Sequence, residues 1–452
     1  MSNDKNQVSI NDVGRDGFKD RWGFILACVG SSVGMGNIWL FPTRVSLYGG
    51  GTFILPYIFF VLLIGYTGVF GEMGLGRANK SGPIGAFANA MKSRGKSENS
   101  GRALGFIPTI ASLLLAIGYT VVVSWILKYT VGTLTGATLA PTSMDEFGAN
   151  FGGMASAYGN TLWVIITIVL CFVIMNAGIS NGIEKVNKVM MPIFYLLFIG
   201  LAIYIATLPG ASDGYKYIFS FDPKGLLDPL IWIFALGQAF FSLSLGGSGT
   251  VIYGSYLADD EDILSSARIV SFFDTCAAML AAFVIIPAMA TTGSQLSDGG
   301  PGLLFIHLPN LFKNMPGGSI VAIVFFVAVA FASITSIVNL YETSIAALQD
   351  EFKFSRTKSA IMIGVLGLVV SLMIQGIVGE WMDIVSIYIN PIGAVLAAIM
   401  FYWVFKPEFA RNEIQKGRSA SIGGWFEPMT KYIFVVVTIV VYIAGVALGG
   451  IG

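Results

Sequence analysis

Two apolar segments of this chain are interrupted by glycine near their middles. The first is 25–42, ILACVGSSVGMGNIWLFP, and the second is 239–250, AFFSLSLGGSGT. A helix that crosses a bilayer satisfies its backbone polar groups internally. Irregular backbone at membrane depth survives only where it lines a cavity or is buried in protein. Paired interruptions at matching points of two halves point to a binding site of the kind found in transporters.

Composition supports a membrane setting. Of 452 residues, 55% are hydrophobic and 12% charged, and mean hydropathy is +0.76. That is far from a soluble globular chain and fits a polytopic membrane protein. The formal net charge of zero gives no reason to expect a nucleic-acid partner. Cys28, Cys171 and Cys276 lie far apart in apolar segments, with neither disulfide nor metal spacing. Residues 1–20 are polar and are not expected to be a signal peptide.

Eleven segments have spanning character: 22–46, 51–76, 104–131, 160–178, 186–208, 229–256, 263–292, 319–348, 359–376, 383–405 and 430–450. Only five of the 26 basic residues (Arg44, Lys128, Lys216, Lys224 and Lys313) fall in alternate loops if the N-terminus is cytoplasmic. The bias therefore predicts a cytoplasmic N-terminus and an external C-terminus. Residues 132–159 read as a flexible outer loop. Residues 293–318 read as a short helical hairpin, a candidate lid, with the lone His307 as an ordinary loop residue.

An interrupted helix bares N–H groups at the start of its second half and carbonyls at the end of its first. The N-terminal end suits a carboxylate and the carbonyl end a cation or ammonium. Two such helices side by side would hold a zwitterion, its carboxylate toward Met35 and Gly36, its ammonium toward carbonyls of Ser32, Phe241 and Ser242. A flexible kink between packed helices is the plainer alternative. Asn37, Ser242 and Asp274 offer hard oxygen ligands to one alkali cation. Residues 332–336, ASITS, place hydroxyls in one turn, although such groups also bond their own backbone. Glu72 and Asp274 lie within apolar segments, where carboxylates are costly and tend to be functional. Glu72 would bond free N–H groups of a broken helix. Asp274 would be a cation ligand or a titrating group. A paired structural carboxylate remains the alternative for both.

Segments 30–42 (GSSVGMGNIWLFP), 49–57 (GGGTFILPY), 72–77 (EMGLGR), 178–185 (GISNGIEK), 238–246 (QAFFSLSLG) and 332–336 (ASITS) resemble the neurotransmitter:sodium symporter family. The resemblance runs from about residue 15 to 451 and implies an all-α fold of eleven transmembrane helices. It would be a LeuT-like 5+5 inverted repeat, helices 1 and 6 unwound at mid-membrane, plus one extra helix. The implied division is 1–21 as N-terminal tail, 22–208 and 229–405 as the two repeats, and 430–450 as helix 11.

The resemblance also implies two sodium ions. One would be held by Ser32, Asn37, Ser242 and Asp274 together with the substrate carboxylate. The other would be held by carbonyls of Gly30, Val33 and Ala332 and hydroxyls of Thr335 and Ser336. The implied substrate pocket is Ser31, Ser32, Met35, Gly36, Leu115, Tyr119, Phe241, Ser242, Ser244, Gly247, Ser336 and Leu340. Tyr119 would donate to the carboxylate and Phe241 would cover the pocket. Arg15 and Asp350, with Tyr256 nearby, would form a cytoplasmic gate. Many relatives pair an arginine with the acid at Asp383. Here that position is Leu40, and Arg44 one turn on is the candidate substitute. Gly34 stands where monoamine carriers of the family place an aspartate, which favours amino acids over amines. Gly247 stands where a leucine-binding relative has phenylalanine, which implies extra room. Ala278 carries neither carboxylate nor hydroxyl, so Asp274 is expected to supply the fixed negative charge without chloride.

The expected activity is sodium-coupled import of hydrophobic L-amino acids, aromatic and branched, by alternating access across a bacterial plasma membrane. A monomer is compatible with this, and no enzymatic activity is expected. Local unwinding between Gly182 and Pro192 would open the second sodium position to water, and a static kink there without such a role is the alternative. A channel or a substrate-gated sensor is the competing class.

Overall fold

The computed structural model describes residues 16–291, 293 and 301–450. Helices account for the ordered structure, and no strand occurs among the described residues. Eight helices are long and apolar enough to cross a membrane: α3 (Gly51–Asn79), α5 (Glu98–Thr135), α8 (Ile179–Ala206), α12 (Ile263–Ala290), α14 (Gly318–Phe352), α15 (Arg356–Met373), α16 (Gln375–Val404) and α18 (Pro428–Leu448). A ninth candidate is a bent pair, α1 (Arg21–Ser32) and α2 (Gly36–Leu47), which meet at 57°. The shorter apolar helices α7 (Thr161–Asn176) and α10 (Pro229–Ser242) complete the apolar set. The remaining helices are α4 (Pro83–Ser93), α6 (Met144–Ala155), α9 (Ala211–Ile218), α11 (Gly249–Ser255), α13 (303–314) and α17 (Pro407–Gln415).

Both glycine-rich segments break where the sequence places the interruptions. α1 starts at a good cap, where the Asp20 carboxylate accepts the Gly23 N–H at 2.8 Å. It ends at Val33, whose backbone is extended. The Asn37 side-chain oxygen then accepts the Gly34 N–H at 3.1 Å, and the α2 ladder begins with Ile38 returning to the Gly34 carbonyl. The second break runs from Leu243 to Ser248, between α10 and α11. Ser244 lies there at φ +53° and Gly247 at φ +68°. A left-handed serine costs about 1–2 kcal/mol. Here its hydroxyl donates to the Ser31 carbonyl of the first break at 3.0 Å, which helps offset that cost.

Two expected loops are more ordered than their composition implies. Residues 132–159 do not form a flexible loop: α5 continues to Thr135 and α6 follows, its cap Ser143 accepting the Glu146 N–H. The described part of the 293–318 segment is one short helix, α13, not a hairpin. Phe305 of α13 stacks on Phe151 of α6 at 5.2 Å, so apolar packing orders both. The long helices α5 and α14 lie against each other, and α1 packs on α8, α12 and α14. The first break is thereby set among four helices.

Candidate functional site

The two breaks face one cavity of about 420 Å³. From the first break come Ser32, Gly34, Met35 and Gly36; from the second, Phe241, Ser244, Leu245, Gly246 and Ser248. Leu115 and Tyr119 of α5 and Ser336 and Leu340 of α14 close the sides. Nine of the twelve expected pocket residues line it; Ser31, Ser242 and Gly247 do not. Ser31 and Ser242 act from behind the wall, through the Ser31 carbonyl and the carboxylate network described below.

Gly247 corrects the expectation of extra room. A Cβ there would lie 2.2 Å from the Gly393 carbonyl oxygen, and the residue sits at φ +68°. The missing side chain serves close backbone contact between the break and α16, and does not enlarge the pocket. The cavity instead gains lining that spacing alone did not reveal: Trp39 and Leu40 of α2, Val122 and Trp125 of α5, and Met382 and Asn390 of α16. Its walls remain mostly apolar.

Beneath this wall lies an oxygen cluster. The Asn37 side-chain amide donates to Ser242 Oγ and to Asp274 Oδ1, each at 2.9 Å, and to the Asp274 carbonyl at 3.1 Å. Ser242 Oγ donates to Asp274 Oδ2 at 2.6 Å. Asn37, Ser242 and Asp274 are almost fully buried. No lysine or arginine pairs with Asp274 among the described residues, so hydrogen bonds are its observed compensation. Hard oxygens gathered round one carboxylate suit an alkali cation. Among the described residues no group of three or more His, Cys, Asp or Glu side chains is placed to hold a metal.

The second expected set also converges. A Cβ on Gly30 would lie 2.8 Å from Thr335 Cβ. Thr335 Oγ1 reaches the Ala332 carbonyl at 3.0 Å, and Ser336 Oγ reaches the Ser31 carbonyl at 3.3 Å. Val33, three residues past Gly30, ends α1 with extended backbone. Glu72 Oε1 accepts the Gly247 N–H at 2.8 Å, so α3 supports the second break directly.

The ends of the cavity differ. At the α2 end, Arg44 and Asp383 both line it, but no ion pair joins them among the described residues. The Arg44 guanidinium lies 4.0 Å over the Phe234 ring instead. Phe241 is 38% exposed there. At the other end the path is packed shut. Phe18 meets Phe24, Tyr253 and Tyr256 edge-on, with centroids 5.4–6.3 Å apart. Tyr256 donates to Glu342 at 2.7 Å, and Arg356 grips the same carboxylate at 2.8 and 3.0 Å. Arg15 lies outside the described residues, and Asp350 is engaged. Glu342 and Arg356 were missed from the sequence, although an acid inside an apolar segment marks such a site.

The model of the sodium:neurotransmitter symporter family matches residues 15–146 and 151–448. An uncharacterized sodium-dependent transporter of Methanocaldococcus jannaschii is 31% identical, covering 95% of this chain and 90% of that protein. Another, from Haemophilus influenzae, is 30% identical over 97% of this chain and 99% of its own length. Among solved structures, MhsT in complex with L-phenylalanine superposes with a TM-score of 0.83 at 31% identity, covering 96% of this chain and all of that one. The chain belongs to the sodium:neurotransmitter symporter family and is a sodium-coupled membrane transporter.

Proposed function

We propose that this protein is a symporter for hydrophobic L-amino acids, aromatic and branched, driven by two sodium ions. The observation that carries the reading is the pair of broken helices facing one largely apolar cavity directly above the Asn37–Ser242–Asp274 cluster. The N–H groups opening α2 receive the carboxylate, and the Tyr119 hydroxyl, which has no protein partner among the described residues, donates to it. Met35, Leu115, Phe241 and Leu340 receive the side chain. A charged side chain would be buried there without a partner, which is costly. The charged lining groups, Arg44 and Asp383, lie about two turns along α2 and α16 from Gly36 and Asn390. The solved complex of the related MhsT with L-phenylalanine supports an amino acid of this class.

Ser32, Asn37, Ser242 and Asp274 would hold the first sodium ion. Gly30, Val33, Ala332, Thr335 and Ser336 would hold the second. Bound sodium supplies positive charge that binds the substrate carboxylate and favours one conformation. Asp274 provides the fixed negative charge, so chloride is not required. Eleven spans follow from the eight long helices, the bent α1–α2 pair, α7 and the broken α10–α11 pair, and the basic-residue bias then puts the N-terminus inside a bacterial plasma membrane and the C-terminus outside. The conformation is then outward-open, with Phe241 partly exposed in the cavity wall and the Glu342–Arg356–Tyr256 cluster closing the cytoplasmic side.

The test is radiolabelled L-phenylalanine and L-valine uptake into proteoliposomes with and without an inward sodium gradient. Sodium-driven accumulation is expected. Binding without accumulation would leave a sensor, and sodium-independent flux a channel. Replacing chloride with gluconate is expected to leave uptake unchanged; a strict chloride requirement would overturn the role given to Asp274.

A further inference from the structure

The second sodium position is built from α1 and α14, yet a third helix reaches it. Asn187 lies on α8 and is 1% exposed. Its Nδ2 donates to the Ile183 carbonyl one turn back, at 2.8 Å. Its Oδ1 is buried and accepts no hydrogen bond among the described residues. That oxygen is aimed at the first break: a Cβ on Gly30 would lie 2.0 Å from it and 3.1 Å from Thr335 Oγ1. The room left by glycine at position 30 is therefore taken by an amide oxygen. Thr335 does not satisfy it, because its hydroxyl is engaged with the Phe331 and Ala332 carbonyls at 3.0 Å each. A buried acceptor without a donor is costly and calls for a reason.

We propose that Asn187 Oδ1 is a further oxygen ligand of the second sodium position, supplied by α8 beside Gly30, Ala332 and Thr335. The inference rests on the reading of a sodium position at those residues. An amide oxygen is a hard neutral donor, the type that suits a hard cation. The chemistry has a mechanical consequence. The same amide holds the Ile183 carbonyl at the end of the irregular first turn of α8, Ile179–Ile183. An ion gripping Asn187 thus ties that turn to α1 and α14. Loss of the ion frees the oxygen and, with it, the start of α8. A purely structural asparagine would bond Ile183 and fill space without responding to sodium.

The experiment uses the full chain in nanodiscs without amino acid. Hydrogen exchange of peptides covering 27–36, 179–192 and 330–338 is followed while sodium replaces choline at constant ionic strength. Wild type should show saturable protection in all three. Asn187→Leu should raise the half-saturating sodium concentration about tenfold, the scale seen when a group supporting a metal site is removed. Asn187→Asp, which adds charge and keeps size, should lower it and so carries the test even if the leucine variant misfolds. Either variant with an unchanged half-saturation overturns the role of Asn187 and leaves the sodium position standing. No sodium response in wild type would overturn the position itself.

Discussion

Gly247 carries two demands at once, a φ of +68° and van der Waals contact with the Gly393 backbone. Gly247→Ala is therefore expected to destabilise the protein by at least about 1 kcal/mol from backbone geometry alone. Uptake of valine and tryptophan should fall together. A thermal-melt series paired with uptake of both substrates checks this; selective loss of tryptophan would restore the pocket-widening reading. Glu72 poses a cleaner contrast. Its Oε1 accepts the Gly247 N–H, and Oε2 has no partner among the described residues. Glu72→Gln preserves an acceptor and should stay near wild type in stability. Glu72→Ala strands a buried N–H and should cost about 1–3 kcal/mol, read as a lower melting temperature in sodium-free buffer.

Helix ends on the Tyr256 side are held by charges. Arg356, at the start of α15, grips Glu342 of α14, a carboxylate with no exposed surface. Breaking such a pair from one side costs about 3–5 kcal/mol. Glu342→Gln and Arg356→Met should each destabilise strongly and add less than their sum when combined. A double-mutant cycle in chemical or thermal denaturation measures that coupling; full additivity would show that the pair is not the unit. Asp20 joins α1 to α8 through Lys188. That bond and the Gly23 N–H hold its carboxyl below the usual carboxylate range. With a depressed folded value, the contribution is complete above about pH 4. It is lost as pH falls further, through the folded value. Exchange of amides 16–24 should thus be insensitive to this group between pH 5 and 8, after correction for intrinsic rates, and Asp20→Asn should speed it.

For the molecule as a whole, the expectation is a cavity that closes over substrate. The variant Leu40→Cys, in the cavity wall between the break and Arg44, should react with a membrane-impermeant maleimide applied outside. Sodium together with L-phenylalanine should slow that reaction severalfold; no protection would count against an outward-open starting state. What the sequence determined by itself was whatever follows from local chemistry. Long apolar stretches favour the bilayer, clustered glycines weaken a helix, and rare intramembrane acids such as Glu72 and Asp274 demand partners. Those rules located both breaks, whereas the lining residues beyond them, Leu115, Tyr119, Ser336 and Leu340 among them, followed from the resemblance to the family. Tertiary structure decided what depends on neighbours distant in the chain: that Gly247 meets Gly393, that Phe151 and Phe305 order two expected loops, that Arg44 lies over Phe234 and not against Asp383, and that Asn187 turns its oxygen toward Gly30. Contact between side chains is set by how helices cross. A linear pattern fixes which face of a helix is apolar, but not which helix will cover it.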